Sequence, residues 1–297
     1  MEKALLSDNS KILLPIDFSD YSEKAGIVAF ELAVRFNAEL MIIHVSSSTS
    51  FAAFPFSDTY AHDTELDKIT DDIEENAENE IHDFILKLQN KNHEFGNEVV
   101  INYQLTKGVA ENEILKFSEE YKPTLIIMGT RGENRKNIDL IGSVTAEVAE
   151  KTKFPLMAIP EDFNYQGIDN IRNIIYLANF EETDFLALKK LEDLVKLLNV
   201  KIFFVHAGKH KEREWDLLKL KSLKSYIKEH VPNADITCDL IETEDFWADL
   251  ENYVQNNKID IISFTTHRRR LVARLLYPDI ERKMLFQTTT PLLIFHA

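Results

Sequence analysis

The sequence of 297 residues has very little of three things: cysteine, long apolar runs and positive charge. Its single cysteine, Cys238, excludes an internal disulfide framework. No apolar stretch approaches ~18 residues, which excludes a transmembrane helix. Residues 1–11 carry no long apolar segment of the kind that a signal peptide needs. We therefore expect a cytoplasmic protein that does not associate with membranes.

The shortage of positive charge bears on the partners of the protein. Lys and Arg number 34 against 50 Asp and Glu, so the formal net charge is -16. Residues 1–160 alone hold 15 basic and 28 acidic side chains. An acidic surface repels nucleic acids and anionic membranes, so neither is an expected partner. The acidic run Asp71–Glu80 could serve a cation or a basic partner, but we favour the solvated face of a helix.

The chain contains two copies of one pattern. Lys11–His44 aligns with Asn173–His206 at a constant offset of 162, and ILLPIDF then faces IIYLANF. Further along, TKFPLMAIP faces TTTPLLIFHA, with Pro155 against Pro291. A repeat of this length is too long for a solenoid unit and indicates two similar domains in series. We place them at residues 1–160 and 171–297, joined by a linker at Glu161–Asn170.

Each copy alternates short apolar segments with amphipathic ones. The apolar segments predict strands at Ile12–Ile16, Leu40–Val45, Glu98–Leu105, Leu125–Met128, Phe154–Ile159, Ile174–Ala178, Lys201–His206, Asp235–Ile241, Ile259–Phe264 and Pro291–Phe295. The amphipathic segments predict helices after Ser19 and Asp20, at Thr64–Gln89, Glu111–Tyr121 and Ser143–Lys151, from Thr183, at Glu212–Glu229 and at Asp245–Asn256. Apolar strands separated by helices favour a parallel sheet covered on both faces. The predicted fold class is α/β, with two tandem doubly wound, Rossmann-like domains.

The segment after the fourth predicted strand carries the main functional signal. It reads Met128-Gly129-Thr130-Arg131-Gly132, followed nine residues later by Gly142-Ser143-Val144-Thr145. Gly129 and Gly132 would allow positive φ and close approach of a phosphate. Gly142 and Ser143 open a helix, whose first N–H groups attract anions. Arg131, Arg135 and Lys136 add cations, and Ser143 and Thr145 add hydroxyl donors.

The glycine spacing matches neither a Walker A loop nor the dinucleotide pattern G-x-G-x-x-G. Three glycines at such intervals could also be ordinary turns. The run G-x2-G-x9-G-S after an apolar strand nevertheless resembles the ATP-binding signature of the universal stress protein family. LLPIDFS and LMIIHV resemble the first two strands of that family. The three matches occur in the family's order.

The resemblance implies a role for each matching residue. Asp17 would accept a hydrogen bond from the adenine amino group, the Val45 backbone would bond the ring, and Pro15 would shape the pocket. The ribose and phosphates would lie against Met128, Gly129, Arg131, Gly132, Gly142, Ser143, Val144 and Thr145. The implied ligand is ATP, ADP or AMP, with or without Mg²⁺. The alternatives are a helix cap for Asp17 and a plain strand residue for Val45.

The second copy lacks this motif. Thr265, Arg268 and Pro278 stand where the first copy has Gly129, Gly132 and Gly142, and Asn179 replaces Asp17. We therefore predict that this half does not bind nucleotide. The basic cluster His267–Arg270, with Arg274, could bind another anion or an acidic partner, or pair with the protein's own carboxylates, which we favour. His206 and His210 are four apart, but His206 ends a strand, so a metal site is not favoured.

Three functions follow as hypotheses. The first is a nucleotide sensor that acts on a protein partner that the sequence does not identify. The second is a slow ATPase or phosphotransferase, although the sequence offers no evident catalytic base. The third is a structural or chaperone-like protein without nucleotide. The resemblance also implies that Phe154–Ile159 and Pro291–Phe295 pair the two halves within one chain, and it leaves open whether two chains associate as a homodimer.

Overall fold

The structure is a computed structural model of the whole chain. It describes residues 10–46, 63–91, 99–130, 143–178, 180, 182–196, 198–208, 213–230, 235–266 and 289–296. Arg131, Gly132, Gly142, the loop cations Arg135 and Lys136, and the basic cluster of the second half therefore lie outside the described residues. Ser143 is described as the first residue of a helix, without its side chain.

Strands and helices alternate along the chain, as the sequence predicts. The first half contains β1 (Lys11–Ile16), α1 (Asp20–Phe36), β2 (Glu39–Ser46), α2 (Asp63–Lys91), β3 (Ile101–Lys107), α3 (Ala110–Tyr121), β4 (Leu125–Gly129), α4 (Ser143–Lys151) and β5 (Leu156–Ile159). A short 3-10 helix, Ile168–Asn170, leads into the second half. That half contains β6 (Asn173–Ala178), α5 (Glu182–Val195), β7 (Lys201–Gly208), α6 (Arg213–His230), β8 (Asp235–Glu242), α7 (Phe246–Asn256), β9 (Ile261–Thr266) and β10 (Leu292–His296).

The ten strands form one continuous sheet in the order β3-β2-β1-β4-β5-β10-β9-β6-β7-β8. All pairs within each half are parallel. The two halves join through β5 and β10, which pair antiparallel with Met157 opposite Leu293. The α/β class with two doubly wound parallel sheets is confirmed, and so is the predicted pairing of the last strand of each half.

The core lies on both faces of the sheet because successive side chains of a strand point to opposite faces. In β1, Ile12, Leu14 and Ile16 join one apolar cluster, whereas Leu13 joins the other. Each cluster contains residues from both halves of the chain. The hydrophobic core therefore continues across the β5–β10 junction.

Four strands begin later than the sequence predicts: β3 at Ile101, β5 at Leu156, β9 at Ile261 and β10 at Leu292. Proline explains the start of β5, since Pro155 has no N–H for a ladder bond. Its carbonyl still accepts from Ile126 N at 2.9 Å. Pro291 accepts from Ile262 N at the same distance in the second half. The repeat thus extends to individual hydrogen bonds.

The predicted linker is packed against α1. The Glu31 carboxylate accepts from Tyr165 Oη at 2.7 Å and from Ile168 N at 2.9 Å, and Glu31 is buried. Arg35 pairs with Asp169 at 2.6 Å on the surface. Burial, with the hydrogen bond to Glu31, raises the pKa of Tyr165. These contacts fix the connection between the halves to the first half.

Three further observations concern exposed side chains, a buried cysteine and the apolar character of the helices. The described side chains of the acidic run, Glu75, Glu78 and Glu80, are exposed, as expected for a solvated helix face. Cys238 is buried in the core, where burial raises the pKa of its thiol to about 11. No helix in the described part of the chain is long and apolar enough to cross a membrane.

Candidate functional site

The strand order of the first half reverses between β1 and β4, which is where open parallel sheets place ligands. The hydrogen-bonded register between these two strands covers Ile12–Leu13 and ends before Pro15, which has no N–H. In the second half the equivalent register of β6 with β9 extends to Leu177. In the first half, the two strands therefore share fewer paired residues at the end where the candidate site lies.

Asp17 follows the last residue of β1 and is held in place by the turn into α1. Its Oδ1 accepts hydrogen bonds from Ser19 Oγ and Ser22 Oγ, both at 2.6 Å, and from Ser19 N at 3.2 Å. The helix cap is Ser19, whose side chain accepts from Ser22 N. The alternative role of Asp17 as the N-cap is thus taken by Ser19. The serines instead fix the orientation of the Asp17 carboxylate at the strand end.

Phe18 adopts a left-handed backbone with φ of 60°, which costs a residue other than glycine about 1–2 kcal/mol. Its ring packs on His44, with centroids 4.6 Å apart. His44 Nδ1 in turn donates to Ile16 O at 3.0 Å. This turn, which we call the Phe–His corner, ties the ends of β1 and β2 together.

The second half contains the same corner. Phe180 has φ of 58°, its ring lies 4.3 Å from that of His206, and His206 Nδ1 donates to Ala178 O at 2.7 Å. Sequence reasoning did not assign Phe18 and His44 to the site. The signal that could have found them was the match of phenylalanine with phenylalanine and of histidine with histidine across the repeat.

Val45 lies on β2 one residue beyond the last rung with β1, His44 opposite Ile16. It remains opposite Thr106 on β3. Because β1 has already ended, the side of the Val45 backbone away from β3 faces the region just beyond the end of β1. That position suits the backbone contact with a ring that the family resemblance implies.

Gly129 ends β4, opposite Ile159 on β5. A Cβ at this position would lie 2.7 Å from Tyr21 Cβ and 2.9 Å from the Tyr21 carbonyl carbon, which is too close for real atoms. Its φ does not fall in the left-handed region, so the expected positive φ at Gly129 is wrong. The glycine is needed instead because the first turn of α1 crosses directly over the end of β4.

Thr145 connects the helix after the motif to this strand end. Its buried Oγ1 donates to Gly129 O at 2.8 Å. A hydroxyl has one hydrogen, so Thr145 positions α4 against β4 instead of donating to a phosphate. Val144 is half-buried against the apolar cluster that contains the buried Met128. The described motif residues thus hold the N-terminus of α4 beside the end of β4.

The equivalent space in the second half is filled by side chains. Tyr176 Oη donates to Asp184 Oδ1 at 2.9 Å and lies 2.5 Å from Thr265 Oγ1, and all three residues are buried. They stand where the first half has Leu14, Ser22 and Gly129. Burial, and then the Asp184 charge, raises the pKa of Tyr176, so its hydroxyl stays protonated. A buried hydrogen-bonded network occupies this strand end in the second half, whereas in the first half the first turn of α1 packs directly against Gly129.

Replacing Tyr176 by phenylalanine removes the hydroxyl that joins Asp184 to Thr265. We expect the free energy of unfolding to fall by about 1–3 kcal/mol, since buried polar groups lose a partner. Urea unfolding measures the loss, with Y103F on the exposed edge as the control. An unfolding midpoint equal to that of the wild type would show that this network does not stabilise the fold.

Comparison with known proteins identifies the family. The family model described as "Universal stress protein family" matches residues 9–160. Universal stress protein MJ0531 of Methanocaldococcus jannaschii is 32% identical over 149 residues, which is 50% of this chain and 81% of that protein. Universal stress protein YxiE of Bacillus subtilis is 26% identical over 153 residues, covering 50% of this chain and 98% of that protein.

A solved structure shares the whole architecture. The crystal structure of a universal stress protein from Archaeoglobus fulgidus superposes with a TM-score of 0.68 and covers 96% of both chains at 18% sequence identity. At that identity the likeness concerns the fold. The superposition includes both halves of the chain, whereas the family model matches the first half. From this match over half of its length, the chain belongs to the universal stress protein family.

Proposed function

We propose that this protein is a stress-response sensor that binds ATP or another adenine nucleotide through residues 1–160. Residues 171–297 form, in this proposal, a degenerate domain without nucleotide. In this proposal, the sensor acts on a protein partner according to whether nucleotide is bound, and it works in the cytoplasm. The observation that carries the proposal is the contact of Tyr21 with Gly129, which brings the Asp17 turn and the end of β4 to one edge of the sheet.

The described residues fit the nucleotide at both of its ends. At the base end, Asp17 offers a fixed carboxylate as acceptor for the adenine amino group, and the Val45 backbone lies just past the end of β1. At the phosphate end, Gly129 presents backbone without a side chain, and α4 begins beside it at Ser143. The first N–H groups of that helix have no acceptor within the helix and suit a phosphate.

Mg²⁺ would enter this site with the phosphates. In the described part of the chain, no group of three Asp, Glu, His or Cys residues is arranged to hold a metal. We propose that the cation takes most of its ligands from the phosphate oxygens. We accordingly expect nucleotide binding to be measurable both with and without Mg²⁺.

Binding to the folded state raises its stability, so a thermal melt tests the proposal. At nucleotide one hundred times its Kd, the stabilisation is about 2.7 kcal/mol. We expect D17A to weaken binding about tenfold or more, because it loses a hydrogen bond to a charged acceptor. N179A, at the position that the repeat aligns with Asp17, is the matched control and should melt as the wild type does. Unchanged melting of the wild type at millimolar ATP, ADP and AMP would remove the proposal.

A further inference from the structure

The end of β10 brings one side chain of the second half onto the first. Leu292 pairs with Ala158 and Ile294 with Leu156, so the antiparallel register carries His296 towards Phe154, beyond the start of β5. His296 Nε2 lies 2.7 Å from Ala149 O. A carbonyl oxygen only accepts hydrogen bonds, so Nε2 carries the hydrogen and donates it.

Ala149 lies in the last turn of α4, which ends at Lys151. Carbonyls in the last turn of a helix have no partner within the helix, and a basic side chain can supply one. His296 does so from the other half of the chain. The first half holds the opposite end of the same helix through Thr145 and Gly129.

We propose that His296 is a positioning residue for the nucleotide site, through which the second half adjusts the phosphate-binding helix of the first. The inference rests on the proposed function. α4 has nine residues, and the backbone hydrogen bonds of a helix make such a segment move as one body. A change at the Ala149 carbonyl therefore displaces the N–H groups at Ser143. By reciprocity, nucleotide at Ser143 strengthens the contact at Ala149.

The surroundings of His296 favour the neutral form of the imidazole over the charged form. Its Nδ1 is buried and has no hydrogen-bond partner among the described residues. Lys190 on α5 faces it and donates through Nζ to His296 O at 3.1 Å. Burial, with a smaller effect of the Lys190 charge, lowers the pKa of His296, although the Ala149 and Phe154 carbonyls act in the opposite direction.

Two variants of His296 separate the hydrogen bond from the bulk of the ring. The amide nitrogen of H296Q reaches the position of Nε2 and can donate to Ala149 O, whereas H296A cannot. Loss of one net hydrogen bond corresponds to about 3- to 10-fold in affinity. We expect H296A to bind ADP about that much more weakly by calorimetry, and H296Q to stay within about twofold of wild type. K190A, which leaves the imidazole in place, is the control and should also stay within about twofold.

Two further readouts do not depend on affinity alone. ADP should shift the ring resonances of His296 in the wild type and slow amide exchange of Leu293 on β10.

The free energy of unfolding also responds to acid through His296. Both states carry a neutral imidazole above pH 6.5, the ordinary pKa. Below it the unfolded chain takes up the proton first, so stability falls. As the pH falls through about 6.5, the wild type should therefore lose more stability than H296Q.

The outcomes distinguish the inference from the function on which it rests. ADP binding by the wild type with an equal Kd in folded H296A would overturn the coupling and leave the sensor proposal intact. Equal weakening in H296A and H296Q would also overturn it, because the hydrogen bond would then not matter. No ADP binding by the wild type would overturn both. If H296A fails to fold, the comparison of H296Q with K190A and the wild-type resonances still decide.

Discussion

Replacing Gly129 by valine is expected to abolish nucleotide binding, with a loss of about 100-fold or more in affinity, equivalent to about 2.7 kcal/mol. The Cβ would lie 2.7 Å from Tyr21 Cβ and 2.9 Å from backbone, so the first turn of α1 must move away from β4. That turn follows the Asp17 loop, so both ends of the proposed site are disturbed at once. Overpacking of this kind also lowers the free energy of unfolding by about 1–3 kcal/mol.

The matched control for G129V is T265V. It places the same side chain at the equivalent strand end of the second half, where a Cβ is already accommodated. T265V loses the contact with Tyr176 Oη and about 0.5–1.5 kcal/mol of stability, but it should bind nucleotide as the wild type does. Calorimetry and urea unfolding of both variants give the comparison. Wild-type affinity in G129V would show that the end of β4 is not part of the site.

Replacing Phe295 by alanine is expected to lower the free energy of unfolding by about 3–5 kcal/mol. The side chain is fully buried on β10, one of the two strands that join the halves, in a cluster that also contains Ile12 and Leu14 of the first half. Because that core is continuous, we expect a single transition at a lower midpoint. L218A, at a leucine that is 59% exposed, is the control and should change stability by about 0.5 kcal/mol or less.

Two probes can test whether the halves unfold together. Both tryptophans, Trp215 and Trp247, belong to the second half, so their fluorescence reports on it alone. Circular dichroism reports on the helices of both halves. Coincident curves for F295A would support one cooperative unit. A fluorescence change at lower denaturant than the dichroism change would show that the halves unfold separately.

The architecture was readable from the sequence because two periodic signals agree. Buried parallel strands are apolar on both faces, as in Ile12–Ile16, and the repeat supplies each strand twice. Strand starts were less readable. The apolar periodicity does not show that a ladder begins with the carbonyl of Pro155 or Pro291. For this reason the start predicted for β5 is too early.

The site was predictable in its location but less so in its contacts. Gly129 was correctly placed at the strand end, yet the reason for it is Tyr21, a residue more than one hundred positions away. Likewise Thr145 looked like a phosphate donor because nothing local shows that its hydroxyl bonds Gly129 O. The buried hydroxyl network of the second half depends on Tyr176, Asp184 and Thr265 meeting across the sheet. Contacts of this range are set by the fold, not by neighbouring sequence.

The antiparallel junction of β5 with β10 fixes the direction in which the two halves face. All strands of the first half run one way and all strands of the second half run the other way. The carboxyl ends of β1 and β4 therefore lie at one edge of the sheet, and those of β6 and β9 lie at the opposite edge. A protein that docks at the first edge would leave the opposite edge available to a different binding protein at the same time.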